Sequence, residues 1–267
     1  MIRFRVLGSL EVLHNNTVCT PTAPKPLQVL AVLLLRANQI IPTEALVHEL
    51  WSEDPPVTAV TTAQTYIYQL RKTLHRLAGG DGEGAELLTR PPGYLLRIRQ
   101  EQLDLDSFSR FAEQGRALLE TGHPEAGAQR LRHALALWQD PTLANVAHGP
   151  LLEAHVADLD EQRMNVLFLR IQADLALGRH RDLVGELRAL VAQHPLNEWL
   201  HGSLIVALSG AGRRGEALQA YHHVRKILRE ELGVDPSAEL QRIRHEVLTA
   251  DVFRPGASGV PVVAAAS

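Results

Sequence analysis

The sequence predicts a mainly α protein in two parts, a small α+β domain at the amino terminus followed by an all-α domain of stacked helix pairs. Three observations carry this. The first hundred residues pass from an alternating, β-branched stretch through three helical segments to a short hairpin pattern. From Leu103 onward apolar residues recur at helical spacing almost to the end. Within that second stretch Gly178-Arg179, followed by Leu183, Leu187 and Leu190, recurs 34 residues on as Gly212-Arg213, followed by Ala217, Tyr221 and Val224.

Length and composition agree with two domains. At 267 residues the chain is long for one core, since single domains usually run about 100 to 200 residues. A hydrophobic share of 45% with 21% charged residues is that of a folded, water-soluble protein. The single cysteine, Cys19, cannot form an internal disulfide, which fits a reducing cytoplasm. No stretch approaches the roughly 18 uncharged apolar residues of a spanning helix, so no membrane role is expected. The net charge of −3 conceals a division: every charged residue from Thr58 to Gly80 is basic, namely Arg71, Lys72 and Arg76. Such a local basic segment can bind phosphate inside a near-neutral protein.

Along the first part, residues 2–13 alternate around Gly8-Ser9 and read as one or two short strands. Pro21-Thr22-Ala23-Pro24-Lys25-Pro26 is too proline-rich for regular structure and ends them. A strongly apolar helix is expected from Leu27 to Asn38, buried in the small domain. Thr43 is expected to cap a second helix carrying Leu46, Val47, Leu50 and Trp51, which Asp54-Pro55-Pro56 terminates. In the third helix Val60, Ala63, Ile67, Leu70, Leu74 and Leu77 form one apolar stripe. At about 100° per residue, Thr62, Thr65, Gln69, Lys72, Thr73 and Arg76 project from the other side, with Tyr66 and Tyr68 on its flanks and Arg71 nearer the apolar edge. After a glycine-rich break at residues 79–84, the segment from Leu87 to Leu96 reads as a hairpin turned at Pro91-Pro92-Gly93. Strand, three helices, hairpin is the order of a winged helix-turn-helix.

The second part is expected to break at Gly122, Asp140-Pro141, Gly149-Pro150, Gly178, Pro195, Gly212 and Gly233. The 34-residue recurrence is the tetratricopeptide period, in which each helix pair buries its face on the next. The division is therefore a winged helix over residues 1–100, tetratricopeptide-like helices over 101–252, and a tail over 253–267 expected to be disordered.

A helix that reads DNA needs hydrogen-bonding side chains toward base edges and cations toward phosphates. The third helix has both: Thr62 and Thr65 can meet base edges or thymine methyls, Gln69 can pair with adenine, and Lys72 and Arg76 can neutralise phosphates. Arg90 at the hairpin turn suits a wing. A solvated polar face is the bland alternative, and the flanking two-helix unit and hairpin weigh against it. Thirteen histidines, among them His148, His155 and the adjacent His222-His223, lack the spacing of a metal site, so no metal or cofactor is expected. Cys19 has no evident base beside it, and Trp138 and Trp199 suit a core better than a ligand groove. No constellation supports an enzyme. The rival reading is a tetratricopeptide-like scaffold whose winged helix docks protein rather than DNA; the third helix's threonines, glutamine and cations, in place of apolar anchors, argue against it.

Several segments together resemble one family, the Streptomyces antibiotic regulatory proteins: Phe4-Arg5-Val6-Leu7-Gly8-Ser9-Leu10-Glu11-Val12, Leu46-Val47-His48-Glu49-Leu50-Trp51, Tyr66-Ile67-Tyr68-Gln69-Leu70-Arg71-Lys72-Thr73-Leu74, Leu88-Thr89-Arg90-Pro91-Pro92-Gly93-Tyr94, Leu103-Asp104-Leu105-Asp106-Ser107-Phe108 and Glu230-Glu231-Leu232-Gly233-Val234-Asp235-Pro236. The resemblance implies an OmpR-type winged helix, the effector domain of two-component regulators, joined to a bacterial transcriptional activation domain. It also implies a cytoplasmic activator of antibiotic biosynthesis genes that binds direct repeats in promoter DNA as a homodimer or tandem pair and recruits RNA polymerase holoenzyme. By it, Thr62, Thr65, Tyr66, Tyr68, Gln69, Arg71, Lys72 and Arg76 belong to the DNA-facing helix, Arg90 and Tyr94 to the wing, and Lys25 to a backbone contact. Relatives usually carry a further basic residue near that lysine, where this chain has Pro26-Leu27-Gln28. No Gly-x-x-x-x-Gly-Lys-Ser/Thr loop is present, and no acidic receiver precedes the winged helix, so the small form of the family is expected.

Overall fold

A computed structural model describes residues 2–78 and 84–249. The expected disorder of residues 253–267 lies outside the described residues, as does most of the glycine-rich break after the third helix.

The chain is mainly α, a winged helix-turn-helix followed by tetratricopeptide-like helices. It opens with β1 (Ile2–Arg5), β2 (Glu11–His14) and β3 (Thr17–Val18), an antiparallel sheet in which Phe4 pairs with Val12. Next come α1 (Pro24–Leu35), β4 (Ile40–Pro42), α2 (Thr43–Trp51), α3 (Ala59–Ala78), β5 (Glu86–Arg90) and β6 (Gly93–Arg97). The second sheet has the order β4-β6-β5. At its centre an added Cβ on Gly93 would lie 1.8 Å from the Ile41 carbonyl oxygen, so only glycine lets β4 and β6 close at this point.

Two local expectations change. The proline-rich stretch does not stay irregular: α1 begins inside it, at Pro24. Prolines in a first turn lose only N–H groups that would have no helical partner, and their fixed φ already suits the helix. Thr43 does not cap α2. Pro42 occupies that position, and Thr43 sends both its N–H and its hydroxyl to the Pro92 carbonyl, each at 3.3 Å, fastening α2 to the β5–β6 turn.

The all-α stretch holds α4 (Asp104–Glu120), α5 (Pro124–Leu135), α6 (Pro150–Ala176), α7 (His180–Gln193), α8 (Glu198–Gly210), α9 (Arg214–Glu231) and α10 (Ala238–Thr249). Gly178 and Gly212, the repeating pair, have φ of 74° and 79°, the left-handed geometry that ends a helix and that glycine adopts without a Cβ clash. Of the apolar positions that follow them, Leu183, Leu187, Ala217, Tyr221 and Val224 are buried and Leu190 is half-buried.

By compactness the chain forms two units. One unit comprises the described residues of Met1–Gln114 and Arg130–Leu167, the other those of Gly115–Gln129 and Phe168–Ser267. In the first unit the β1–β2 connection is held from the all-α stretch: Asp104 accepts from Val6 and Leu7 N–H, and Asn145 exchanges hydrogen bonds with both backbone groups of Leu10. Within the all-α stretch the Trp138 and Phe108 rings pack nearly perpendicular to each other. The buried carboxylate of Glu49 on α2 takes the N–H groups of Gly149, Leu151 and Leu152 at the start of α6, as well as the Gln28 amide. That arrangement puts an anion on the positive end of a 27-residue helix and fills its otherwise unmatched donors. The second unit centres on α7, α8, α9 and α10, with a buried Arg170 bridging Asp174 and Glu186.

Among the described residues no helix is long and apolar enough to cross a membrane, and no group of three or more metal-ligating side chains converges.

Candidate nucleic-acid interface

α3 is amphipathic, with one apolar and one polar face. Ala59, Ala63, Ile67, Leu70 and Leu74 are buried, against α1, α2 and β5. Burying each leucine or isoleucine there contributes about 1.5 to 3 kcal/mol, which fixes the helix's rotation about its own axis. Val60 does not share in this: it is 50% exposed, and Ala59 takes the place at the head of the stripe that the sequence pattern assigned to Val60. A small residue fits where α3 enters the core, and the four-residue step to Ala63 keeps it on the same face.

That rotation determines what α3 shows to solvent. Thr65, Tyr68, Gln69, Lys72 and Arg76 are exposed, together with Thr61, Gln64 and His75, which the sequence pattern did not single out. The central line runs Thr61, Thr65, Tyr68, Lys72, with Gln64 on one flank and Gln69 on the other. Thr62, Tyr66 and Thr73 turn partly inward and are half-buried. Stepping the helical period back from Ala59 rather than Val60 was the signal that would have found Thr61 and Gln64.

The other proposed contacts divide by geometry. Arg90 is exposed at the end of β5, beside the Pro91-Pro92 turn, with no carboxylate partner among the described residues. Arg71 is not free: its Nε–H donates to the Leu87 carbonyl at 2.9 Å and its Nη2 to the Thr89 hydroxyl at 3.0 Å, so it ties α3 to β5. Tyr94 is 7% exposed, its side chain held in the sheet where it pairs with Ile41 and Thr89, which leaves the wing's outer surface to Arg90. Lys25 is half-buried, its ammonium donating to the Leu50 carbonyl and lying over the Trp51 ring. This satisfies a carbonyl at the C-terminus of α2, the favourable end for a cation.

The electrostatics favour an anion. Among the described residues neither Lys72 nor Arg76 is paired with a carboxylate, and α3 itself contains no acid. A groove between α3 and the wing is lined by Tyr68, Arg71, Lys72, His75, Thr89 and Arg97, with Glu86 as its acid among the described lining residues. Elsewhere in this unit burial dominates. It pushes Asp104 up to about 6, against the pull of the Val6, Leu7 and Leu105 N–H groups and the Arg5 charge. Burial and the neighbouring Arg36, whose Nε–H donates to His155, lower the imidazole's pKa.

Comparison with known proteins agrees with this architecture. Residues 19–96 match the family model described as transcriptional regulatory protein, C terminal, and residues 103–248 the one described as bacterial transcriptional activator domain. The chain is 42% identical to the regulatory protein DnrI of Streptomyces peucetius, over 100% of this chain and 98% of that one. It is 34% identical to the regulatory protein AfsR of Streptomyces griseus over 97% of its length, but spans only 26% of that larger protein. A solved structure of Mycobacterium tuberculosis EmbR in complex with a low-affinity phosphopeptide superimposes with a TM-score of 0.87 at 30% identity, covering 95% of this chain and 66% of that one. These relatives are transcription regulators rather than enzymes. With both domain types in the same order and a full-length relative at this identity, the chain belongs to the Streptomyces antibiotic regulatory protein family of transcription regulators.

Proposed function

We propose that this regulator is a sequence-specific, DNA-binding activator of a secondary-metabolite gene cluster. It places α3 in the major groove of direct repeats at promoters, lays the Arg90 wing on the adjacent backbone or minor groove, and recruits RNA polymerase holoenzyme. Residues 1–100 supply the DNA contact, and residues 101–252 supply activation and help a homodimer or tandem pair form on the repeats. Its place of action is the cytoplasm, where the promoter DNA is.

The observation that carries the reading is the outer face of α3: hydroxyl and amide groups toward its N-terminal half, Lys72 and Arg76 behind them, and no acid along its length. Recognition helices present their N-terminal residues to base edges and their cations to phosphates, and this face is ordered in that way. A surface for docking protein would more often carry a cluster of apolar anchors.

The test is a footprint on DNA upstream of the neighbouring genes, with Lys72→Ala and Gln69→Ala in parallel. Protection of two direct repeats about one helical turn apart, weakened by both substitutions, is expected. Absence of protection at low salt would turn the search to protein partners of the winged helix.

A further inference from the structure

We propose that Glu49 is a positioning residue for activation: its buried carboxylate fixes the direction in which α6 leaves the winged helix, so that α3 seated on DNA presents the start of α6 in one orientation. This rests on the reading of the protein as a DNA-binding activator.

The joint is closed from both sides. Glu49 on α2 is 1% exposed, and its Oε1 takes the Gly149 N–H at 2.7 Å while its Oε2 takes those of Leu151 and Leu152 at 2.8 and 3.3 Å. Pro150 has no N–H, so this one carboxylate receives every backbone donor from residue 149 to residue 152. Gly149 makes the approach possible. A Cβ there would lie 2.1 Å from the Glu49 carbonyl oxygen, and Gly149 is not one of the glycines with positive φ, so it is glycine for closeness rather than for backbone conformation. From α1 the buried Gln28 donates through Nε2 to the Glu49 carbonyl and to Oε1, each at 3.0 Å, which fixes the side chain that does the fastening.

A single attachment would leave α6 free to turn about it. The second is at the end of α1, where the Arg36 Nε–H donates to His155 Nε2 at 3.1 Å. At about 1.5 Å per residue, His155 lies about 6 Å further along α6 than Leu151. Two attachments from two helices of the winged helix set both the place and the rotation of the first turns of α6. A buried carboxylate is an inefficient source of stability, because leaving water costs much of what its hydrogen bonds return, and those bonds form in one geometry. What it supplies is direction. α3 is seated separately, by Ala63, Ile67, Leu70 and Leu74 packed against α1, α2 and β5, so DNA contact and the direction of α6 can be separated by substitution.

The test uses the full chain with Glu49→Gln, with His155→Ala and, as a control for lost stability, with Val32→Ala in the core of α1. Three quantities are compared: affinity for a promoter duplex, thermal midpoint, and transcription by purified RNA polymerase holoenzyme at protein concentrations that saturate the duplex. Glu49→Gln keeps the shape but turns an NH2 group toward N–H donors. Its affinity for DNA should stay close to wild type while transcription at saturation falls about fivefold or more. His155→Ala should show the same split to a smaller extent, and Val32→Ala, though less stable, should transcribe fully at saturation. Wild-type transcription by both Glu49→Gln and His155→Ala, or a loss that Val32→Ala reproduces at an equal midpoint, would overturn the proposal while leaving the activator reading in place. Should Glu49→Gln fail to fold, full transcription by His155→Ala would overturn it alone. A wild-type chain that neither binds the duplex nor raises transcription would overturn the activator reading and this proposal with it.

Discussion

The helices of the repeat unit and the recognition helix treat charge in opposite ways. From α7 to α10 most arginines with a described contact meet a carboxylate: Arg188 and Arg213 share Glu216, Arg225 and Arg229 share Asp235, and Arg242 sits between Glu239 and Glu246. On α3, Lys72 and Arg76 meet none among the described residues, and Arg71 is spent on a backbone carbonyl and a hydroxyl. A surface whose charges neutralise one another has little left for a polyanion, whereas unpaired cations on one helix face give up only counterions and water when phosphate arrives. The difference lies in composition: α3 carries three basic residues and no acid, whereas α7 to α10 carry carboxylates that meet their arginines.

The largest effects should come from Glu49, the buried carboxylate of α2. Glu49→Ala leaves three N–H groups at the start of α6 and the Gln28 amide without their acceptor, and thermal or urea unfolding should show a loss of about 3 kcal/mol. Next in size, reversing both cations of α3 in the double variant Lys72→Glu and Arg76→Glu should weaken DNA binding by about a hundredfold or more at low salt without lowering the unfolding midpoint. An unchanged affinity would remove α3 from the DNA side of the comparison.

Asp104 gives a smaller effect with a definite sign. Its folded-state pKa, about 6, lies above its ordinary value of 3.8, so the folded protein holds the proton more tightly than the unfolded chain. The stability this lends is fully present below about pH 4 and is lost as the pH rises through 6; Asp104→Asn should flatten that part of the stability profile. The smallest effect belongs to the repeat surface. Arg188→Ala breaks one exposed pair with Glu216 and should leave DNA affinity unchanged in the same binding assay.

What could be read from the sequence follows from how each element is specified. The helices of the all-α stretch were legible because period and punctuation coincide: Gly122, Gly178, Gly212 and Gly233 each take the positive φ that a helix end demands. The hairpin and the core of α3 were legible for the same reason. The start of α1 was not, because Pro24 and Pro26 break a helix interior but suit a first turn, and the residue types alone do not say which. β4 is three residues long and exists through its pairing with β6, a long-range partner that local pattern does not reveal. In the candidate site, Lys72, Gln69, Thr65 and Arg76 follow from the helical period. Lys25, Arg71 and Tyr94 are instead turned to the Leu50 carbonyl, the Leu87 carbonyl and the β-sheet interior, contacts set by tertiary packing.

The central claim, that α3 meets DNA through its exposed cations, is tested most directly by the salt dependence of affinity for a promoter duplex, measured for the wild-type chain and for Lys72→Ala. If Lys72 holds one phosphate, the plot of log affinity against log salt should flatten by about 0.9 in the variant. Parallel slopes for the two proteins, or an affinity that salt does not alter, would contradict the claim.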